Sequence, residues 1–504
     1  MAEKSKKEMT FELSAEGARA QGLVVGCVGY GLFLSWMWII YFSNFAVSYA
    51  GMDADHALQL RIIMLAALGI ALPILGACER FFVSRRGIAV SALASVFLCP
   101  LASVAALLFP CECTSQCAYS CQCAAMLAQG VAWAFSGIGY AFLMIYWVWF
   151  LVALGKMPNH SLVIASTMVV SSAVFFSATL LLPSVSVAVH ALLPALSVIC
   201  SMFSHRRLAT VTVGIAIKKA VPERDFDVAS GRLSKKTLTM TWFSGVALGF
   251  CGHTVTTGFY IAWADMVLSA LFVVASVAMF FAVRRHGGYR YGDLLWLYVP
   301  VATFCLIPMC LVSGMGRALF ACILIAALTA YSFADLDMLV KDMSSAASHI
   351  TKVMAFGRIG NVLGLAVGWL VAGFAFRMES LRPDAFVVAC LGLVLVLVAA
   401  STYMFRGLGF LSAPTVVTRT ADDRYERQCF LFAKKYGLTE RQLDVLRLLG
   451  RGRTALTIQD KLFISESTAK THIYNIYQKV GIHTQRELME LLDAVNPNVD
   501  ETLF

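Results

Sequence analysis

A chain of 504 residues leaves room for about three ordinary soluble domains. Its composition excludes them: 59% of the residues are hydrophobic, 14% are charged, 34 are Phe and 21 are Met, and the mean hydropathy is +0.75. Such a surface belongs in lipid, so a purely water-soluble enzyme or binding protein is ruled out, and the formal net charge of +10 is to be sought in loops and tails.

A bilayer core needs roughly 20 apolar residues per helix. The chain opens with a tail, residues 1–21, that is charged at both signs and lacks a secretory signal, so it reads as a retained cytoplasmic tail. Twelve apolar runs follow, at 22–45, 60–78, 88–109, 125–153, 161–182, 184–203, 238–260, 264–283, 292–313, 317–340, 353–376 and 384–405. Pro183 sets the break between the fifth and sixth, and Trp263 with Asp265 the break between the seventh and eighth. Up to residue 352, Lys and Arg number 21 in the segments on one side of these runs, against Arg61, Arg317, Arg377 and Arg382 on the other side of the whole bundle. The basic side is the inner one, which places both termini inside.

The longest inward loop, 204–237, is basic and divides the spans into six and six. Residues 22–405 thereby resemble the major facilitator architecture, and the loop GACERFFVSRRG (76–87) is distantly similar to that family's signature of Gly, acid, Arg and a basic pair. The resemblance implies a solute cavity between the halves.

Polar residues inside spans are costly and usually functional. Asn44, His253, Asp335, Arg358 and Asn361 are therefore the candidates for ligand binding or gating. Asp335 and Arg358 fall at similar depth and can pair, as a packing or gate contact. His253 reads as a packing histidine or as a ligand contact. Trp36, Trp38, Trp133, Tyr140, Trp147 and Trp149 give the first and fourth spans aromatic faces, either a pocket for a flat solute or interfacial belts.

An outer loop reads CECTSQCAYSCQC, with Cys111, Cys113, Cys117, Cys121 and Cys123. Two short disulfides with one thiol left over are the first reading there. A soft-metal or redox-sensing site is the second. No resident cofactor is expected, and no phosphate-binding glycine loop, hydrolase elbow or catalytic His/Glu set marks an enzyme.

After a linker at 406–423, rich in Gly, Pro, Ser and Thr, residues 424–504 form a charged, amphipathic module. Four helices follow a short leading one. Thr439 and Gln442 make a capping box, Gly450 and Gly452 stop the first of the four, and Thr454 caps the second. Ser465 caps the third, which Gly481 ends, and 485–495 forms the last. Ala469, Ile473, Ile476 and Val480 make one apolar stripe, leaving Lys470, Thr471 and Tyr474 outward. Two short helices about a tight turn make a helix-turn-helix.

The run LTERQLDVLRLLGRGRTALTIQDKLFISESTAKTHIYNIYQKVGIHTQREL (438–488) resembles, without a gap, the DNA-binding domain of LuxR-type transcription regulators. Gln442 stands where Glu is common, Gln459 where a small Ala packs, Leu456 for a frequent Lys and Ala469 for Val. A helix in the major groove can distinguish base pairs. Lys470, Thr471 and Tyr474 are spaced for that, and the family's base-reading positions map onto them. Ser465, Thr468 and Lys479 suit phosphates, which set register. Residues 421–504 balance 12 basic against 12 acidic side chains, so one copy should bind modestly. The resemblance implies dimerisation through the last helix onto two DNA half-sites.

The expectation is an all-α protein: a twelve-helix bundle of six plus six with a C-terminal four-helix LuxR-type domain. Its partners are promoter DNA, the lipid bilayer, a small-molecule ligand and a second copy, and its place is the inner membrane of a bacterium. The membrane domain would sense a solute or envelope signal and control the helix-turn-helix. A transporter with a regulatory DNA-binding tail is the alternative, and a ligand-free anchor a third.

Overall fold

The computed structural model describes residues 2–43, 49, 54–82, 84–109, 119–155, 157, 160–209, 235–257, 261–286, 291–345, 350–379, 381–382, 384–405, 421–462 and 465–494. All regular structure among them is helical. The chain divides into two compact units, Met1–Gly407 and Leu408–Phe504.

In the first unit, α1 (Ala2–Phe42), α2 (Ala54–Ala77), the one-turn α3 (Glu79–Phe82), α4 (Arg85–Leu98), α5 (Leu101–Leu108), α6 (Tyr119–Gly155), α7 (His160–Thr179) and α8 (Pro183–Ala209) form the first half. The second half holds α9 (Lys235–Thr256), α10 (Ile261–His286), α11 (Tyr291–Leu311), α12 (Met315–Ser345), α13 (Ile350–Glu379) and α14 (Ala385–Phe405). Leaving out the one-turn α3 and counting α4 and α5 as one interrupted passage gives twelve among the described residues. Eight passages among the described residues are long and apolar enough to cross a bilayer, and α11, α12 and α14 hold shorter apolar stretches.

Pro100 opens α5 without an amide donor, which interrupts the third passage after Leu98. At the break Ser136 of α6 donates to Cys99 O at 2.7 Å, and nearer the end of α5 Gln129 of α6 donates to Ala105 O at 3.0 Å. Internal satisfaction of this kind is what lipid demands of a broken helix.

Small residues set the helix spacing. Gly245 and Gly249 of α9 face Gly364 and Gly368 of α13 so closely that a Cβ at any of the four would collide with backbone of the other helix. On α1, Gly22 O and Gly29 O accept hydroxyls from Ser204 and Ser197 of α8 at 2.7 and 2.8 Å. Close approach and interhelical hydrogen bonds replace the hydrophobic effect that water supplies elsewhere.

Two expectations need correction. The seventh and eighth spans separate before Ile261, with α9 ending at Thr256, so Trp263 and Asp265 lie inside α10. Asp265 is 1% exposed there, and the hydrogen bond it accepts from Ser43 offsets part of the cost of burying it. Arg61, counted above with the outward loops, is buried in α2. Residues 2–21 are helical and form the first part of α1.

The second unit holds α15 (Ala421–Lys435), α16 (Glu440–Leu449), α17 (Ala455–Leu462), α18 (Glu466–Val480) and α19 (Gln485–Asp493). The leading helix, at 15 residues, is as long as α18. Cys429, Phe432, Leu446, Ile458, Ile476 and Leu488 meet in its core.

Candidate functional site

In the second unit, α18 is delimited at both ends. Ser465 Oγ accepts from Thr468 N at 3.2 Å, and Gly481 stops the helix in the left-handed region at φ 78°, a conformation that glycine adopts without strain. Ala469 and Ile476 are fully buried against α16 and α17, with Ile473 and Val480 half-buried beside them. That fixes the helix rotation and leaves Lys470, Thr471 and Tyr474 exposed, the last at 63%. Lys470 pairs with Glu466 at 2.8 Å along the surface, and Thr471 Oγ1 donates to Ser467 O. The exposed face can therefore meet base edges without disturbing the core.

The residues expected at phosphates divide. Ser465 and Thr468 share a hydrogen bond of 2.7 Å at the exposed start of α18. Lys479 instead donates to Gly437 O at 2.7 Å and Gln442 Oε1 at 2.9 Å, bracing the end of α18 against α16. Gln442 also closes the capping box with Thr439, so Gln in place of Glu keeps both hydrogen bonds. Arg441 donates to Leu462 O at 3.2 Å, and Gln485 to Leu449 O at 2.7 Å. Both hold helix C-termini and were not evident from residue spacing. Glu487 accepts from His483 N at 3.0 Å and from Thr484 Oγ1 at 2.7 Å, which lowers its carboxyl below the usual value and fixes the start of α19.

Gln459 occupies the slot of a small residue at the turn, and its Oε1 is buried without a hydrogen-bond partner. An unsatisfied buried acceptor costs about 1–3 kcal/mol. Gln459→Ala is therefore expected to stabilise the excised tail, residues 421–504, by about 1 kcal/mol. Thermal unfolding should show the midpoint rising by about 4–8 °C for a domain of this size.

In the first unit a cavity of about 810 Å³, including the part open to solvent, lies between the halves. Along one wall α1 presents Tyr30, Phe33, Met37, Trp38, Tyr41 and Phe42, joined by Tyr140 of α6. Across from it stand Thr329 and Ser332 of α12 and Met354, Arg358, Asn361 and Leu365 of α13. Two of the five expected gating residues, Arg358 and Asn361, therefore face the cavity, and Asn361 donates to Thr241 O at 3.5 Å. His253 does not line it: the ring packs edge-on against Trp369 and Phe376 at 5.5 and 5.3 Å. Asn44, Cys111, Cys113 and Cys117 lie outside the described residues, as do the side chains of Asp335, Cys121 and Cys123.

The aromatic faces split in the same way. Trp38 and Tyr140 reach the cavity. Trp147 donates to Ser197 at 3.0 Å, and Trp36 stacks on His190 at 5.8 Å, so these rings pack the first half.

Contacts at both ends of the cavity join the halves. Beyond Phe42, Arg61 donates to Ile40 O and Ser43 O at 3.3 and 2.7 Å and lies 4.8 Å over the Trp369 ring. Ser43 donates to Asp265 at 2.8 Å. Beyond Met354, Glu79 accepts from Thr351 N at 3.3 Å at the start of α13, and Asp337 accepts from Ser161 at 2.7 Å with His160 3.3 Å away. Glu79 belongs to the loop at 76–87 singled out above, where Gly87 is required by the close approach of Phe81 O. Arg61, Asp265 and Asp337 were not among the expected residues. The signal available for each was a charge within an apolar run.

A soluble helix-turn-helix and a twelve-passage bundle in one chain define a membrane-bound DNA-binding protein. The model of the bacterial regulatory proteins, luxR family, matches residues 437–492. The spore germination protein GerE of Bacillus subtilis (strain 168) is 40% identical over 62 residues, 12% of this chain and 84% of that protein. Through this domain the chain belongs to the luxR family. The bundle shares its fold, at a TM-score of 0.50 and 12% identity, with a bacterial homologue of the iron transporter ferroportin in the outward-facing state. It does so equally, at 0.50 and 14%, with the human organic anion transporter MFSD10. Each likeness covers 76% of this chain and 99% of the other, and what is shared is the fold.

Proposed function

We propose that this chain is a membrane-bound, sequence-specific transcription regulator whose bundle binds a small solute and thereby controls the DNA-binding tail. The observation that carries this reading is the exposed face of Lys470, Thr471 and Tyr474, set by a buried stripe, in a chain whose remaining fold encloses a cavity between two halves. Both assigned parts belong to non-enzymatic groups, so the output is occupancy of DNA. Solute binding favours one arrangement of the halves, and the tail's dimerisation or access to two half-sites follows that population. The excess of Lys and Arg in one set of segments supports both termini lying on the inner side of the plasma membrane, where the tail would meet DNA, with α19 as the surface for self-association.

The recognition face supplies the test. Tyr474→Ala is expected to change which promoters are occupied, because position 474 touches base edges. Lys479→Ala is expected to weaken all of them, through lost phosphate attraction and through loss of its contacts to Gly437 and Gln442. Genome-wide occupancy of the two variants measures both, and equal losses at every promoter for both variants would refute the division of roles along α18. The transporter reading is tested separately, by whether reconstituted protein moves a solute at a rate that deleting 421–504 leaves unchanged.

A further inference from the structure

On the reading that both termini lie inside, we infer that Cys310 and Cys390 form a redox site on the outer side, closing into a disulfide by exchange with an external disulfide. Cys310 lies in the last turn of α11 and Cys390 in the second turn of α14, where both helices reach the outer side. The two helices pack side by side, with Cα atoms within 8 Å of one another. Arg317 fixes the depth at which they meet. Its Nε donates to Val312 O at 3.3 Å, two residues beyond Cys310. Its guanidinium lies 3.8 Å over the Phe386 ring, one turn before Cys390. Two further N–H groups hold the carboxylate oxygens of Glu379 at 2.8 Å each, a bidentate pairing that fixes the fork. One layer further into the bundle, the Cys310 and Cys390 thiols come within hydrogen-bond reach of each other. Cys310 donates its own proton to Leu306 O at 3.3 Å, which leaves its sulfur to accept from Cys390. A disulfide spans about 4.4–6.8 Å between Cα atoms, so closure asks for rotation of two side chains and at most a slight approach of the helices.

Exposure sets the order of reaction. Cys310 is half-buried beside the exposed Leu311, whereas Cys390 is 0% exposed, so an external disulfide meets Cys310 first. Cys305 is buried as well and, five residues away on the same helix, points to another side. The Cys310 thiol gives up its proton and its sulfur attacks one sulfur of the external disulfide. That S–S bond breaks, and the departing thiolate takes up a proton. The Cys390 sulfur, having lost its proton, then attacks the Cys310 sulfur of the mixed disulfide and expels the second thiol. Two protein thiols are thereby oxidised by two electrons, and the external disulfide is reduced to two thiols. Disulfides form and persist outside the cytosol, which is where this end of the bundle lies.

The test uses the full chain, reduced and held in lipid nanodiscs, with oxidised glutathione as the external disulfide. Remaining thiols are blocked with N-ethylmaleimide, and chymotryptic peptides are read by tandem mass spectrometry. A linked Cys310–Cys390 peptide is expected to become the main form of both residues and to be lost on adding reductant. In Cys390→Ser, Cys310 should stop at the mixed disulfide with glutathione. In Cys310→Ser, Cys390 should stay unmodified, because the first attack is lost. The linked peptide of the unsubstituted chain decides the matter if either variant fails to fold. No reaction at Cys310, a mixed disulfide that accumulates there in the unsubstituted chain, or linkage of either residue to a different cysteine overturns the pair. Oxidised glutathione does not cross the membrane, so intact cells expressing the chain should yield the same linked peptide. Linkage in nanodiscs but none in those cells overturns the outward placement, and with it the reading that both termini lie inside.

Discussion

Replacing Arg61 by Ala is expected to destabilise the membrane module by about 3–5 kcal/mol, the usual cost of removing one partner from a buried charged cluster. The guanidinium is 1% exposed and ties α2 to the end of α1 through Ile40 O and Ser43 O. Ser43 in turn reaches Asp265 on α10, and the Arg61 charge is felt there. Loss of Arg61 would take a donor from two carbonyls in an apolar setting without water to replace it, and would remove the positive charge that offsets buried Asp265. Arg61→Lys should recover part of the loss, since an ammonium keeps the charge but not the planar fork. Thermal aggregation of the purified chain, followed by size exclusion, would order the three as parent, Lys variant, Ala variant.

Gly364→Val is expected to have a comparable effect through shape alone. A Cβ at position 364 meets Trp242 O, backbone of the facing helix that no rotamer change can move aside. Gly245, Gly249 and Gly368 are in the same position, so α9 and α13 would have to separate along their whole contact. Overpacking commonly costs about 1–3 kcal/mol and more where backbone must shift, and separation would also remove Asn361 and Leu365 from their places on the cavity wall. Gly392→Val in α14 is the matched control, because nothing lies within 4 Å of a Cβ there. Yield of monodisperse protein in detergent should collapse for the first and stay near the parent for the second.

Much of the architecture was legible because lipid imposes a simple rule. A span needs a long apolar run, and the twelve runs reappear as twelve passages, with the break at Pro183 falling between α7 and α8. The tail was legible for a different reason: its caps are local chemistry. Thr439 with Gln442, Ser465 with Thr468 and Gly481 all act within four residues. Asp265 misled because a charge in an apolar run reads as a boundary, whereas in the fold it is buried beside Ser43. Arg61 misled similarly, since its partners come from another helix. The seam between α9 and α13 was written in the spacing of Gly245 with Gly249 and of Gly364 with Gly368, a small-residue repeat typical of close membrane helices. Lys479 shows the limit of a surface pattern. Its spacing fits a phosphate contact, but only the fold reveals Gly437 O and Gln442 Oε1 within its reach.

Control of the tail by the bundle is tested most directly by mapping DNA occupancy in cells for the full chain and for residues 421–504 alone, across growth conditions that change the available solutes. Both forms are expected to occupy the same promoters. Occupancy by the full chain should vary several-fold between conditions while that of the tail stays constant. Parallel variation of the two, or a full chain that occupies no specific site in any condition, would contradict regulation through the membrane module.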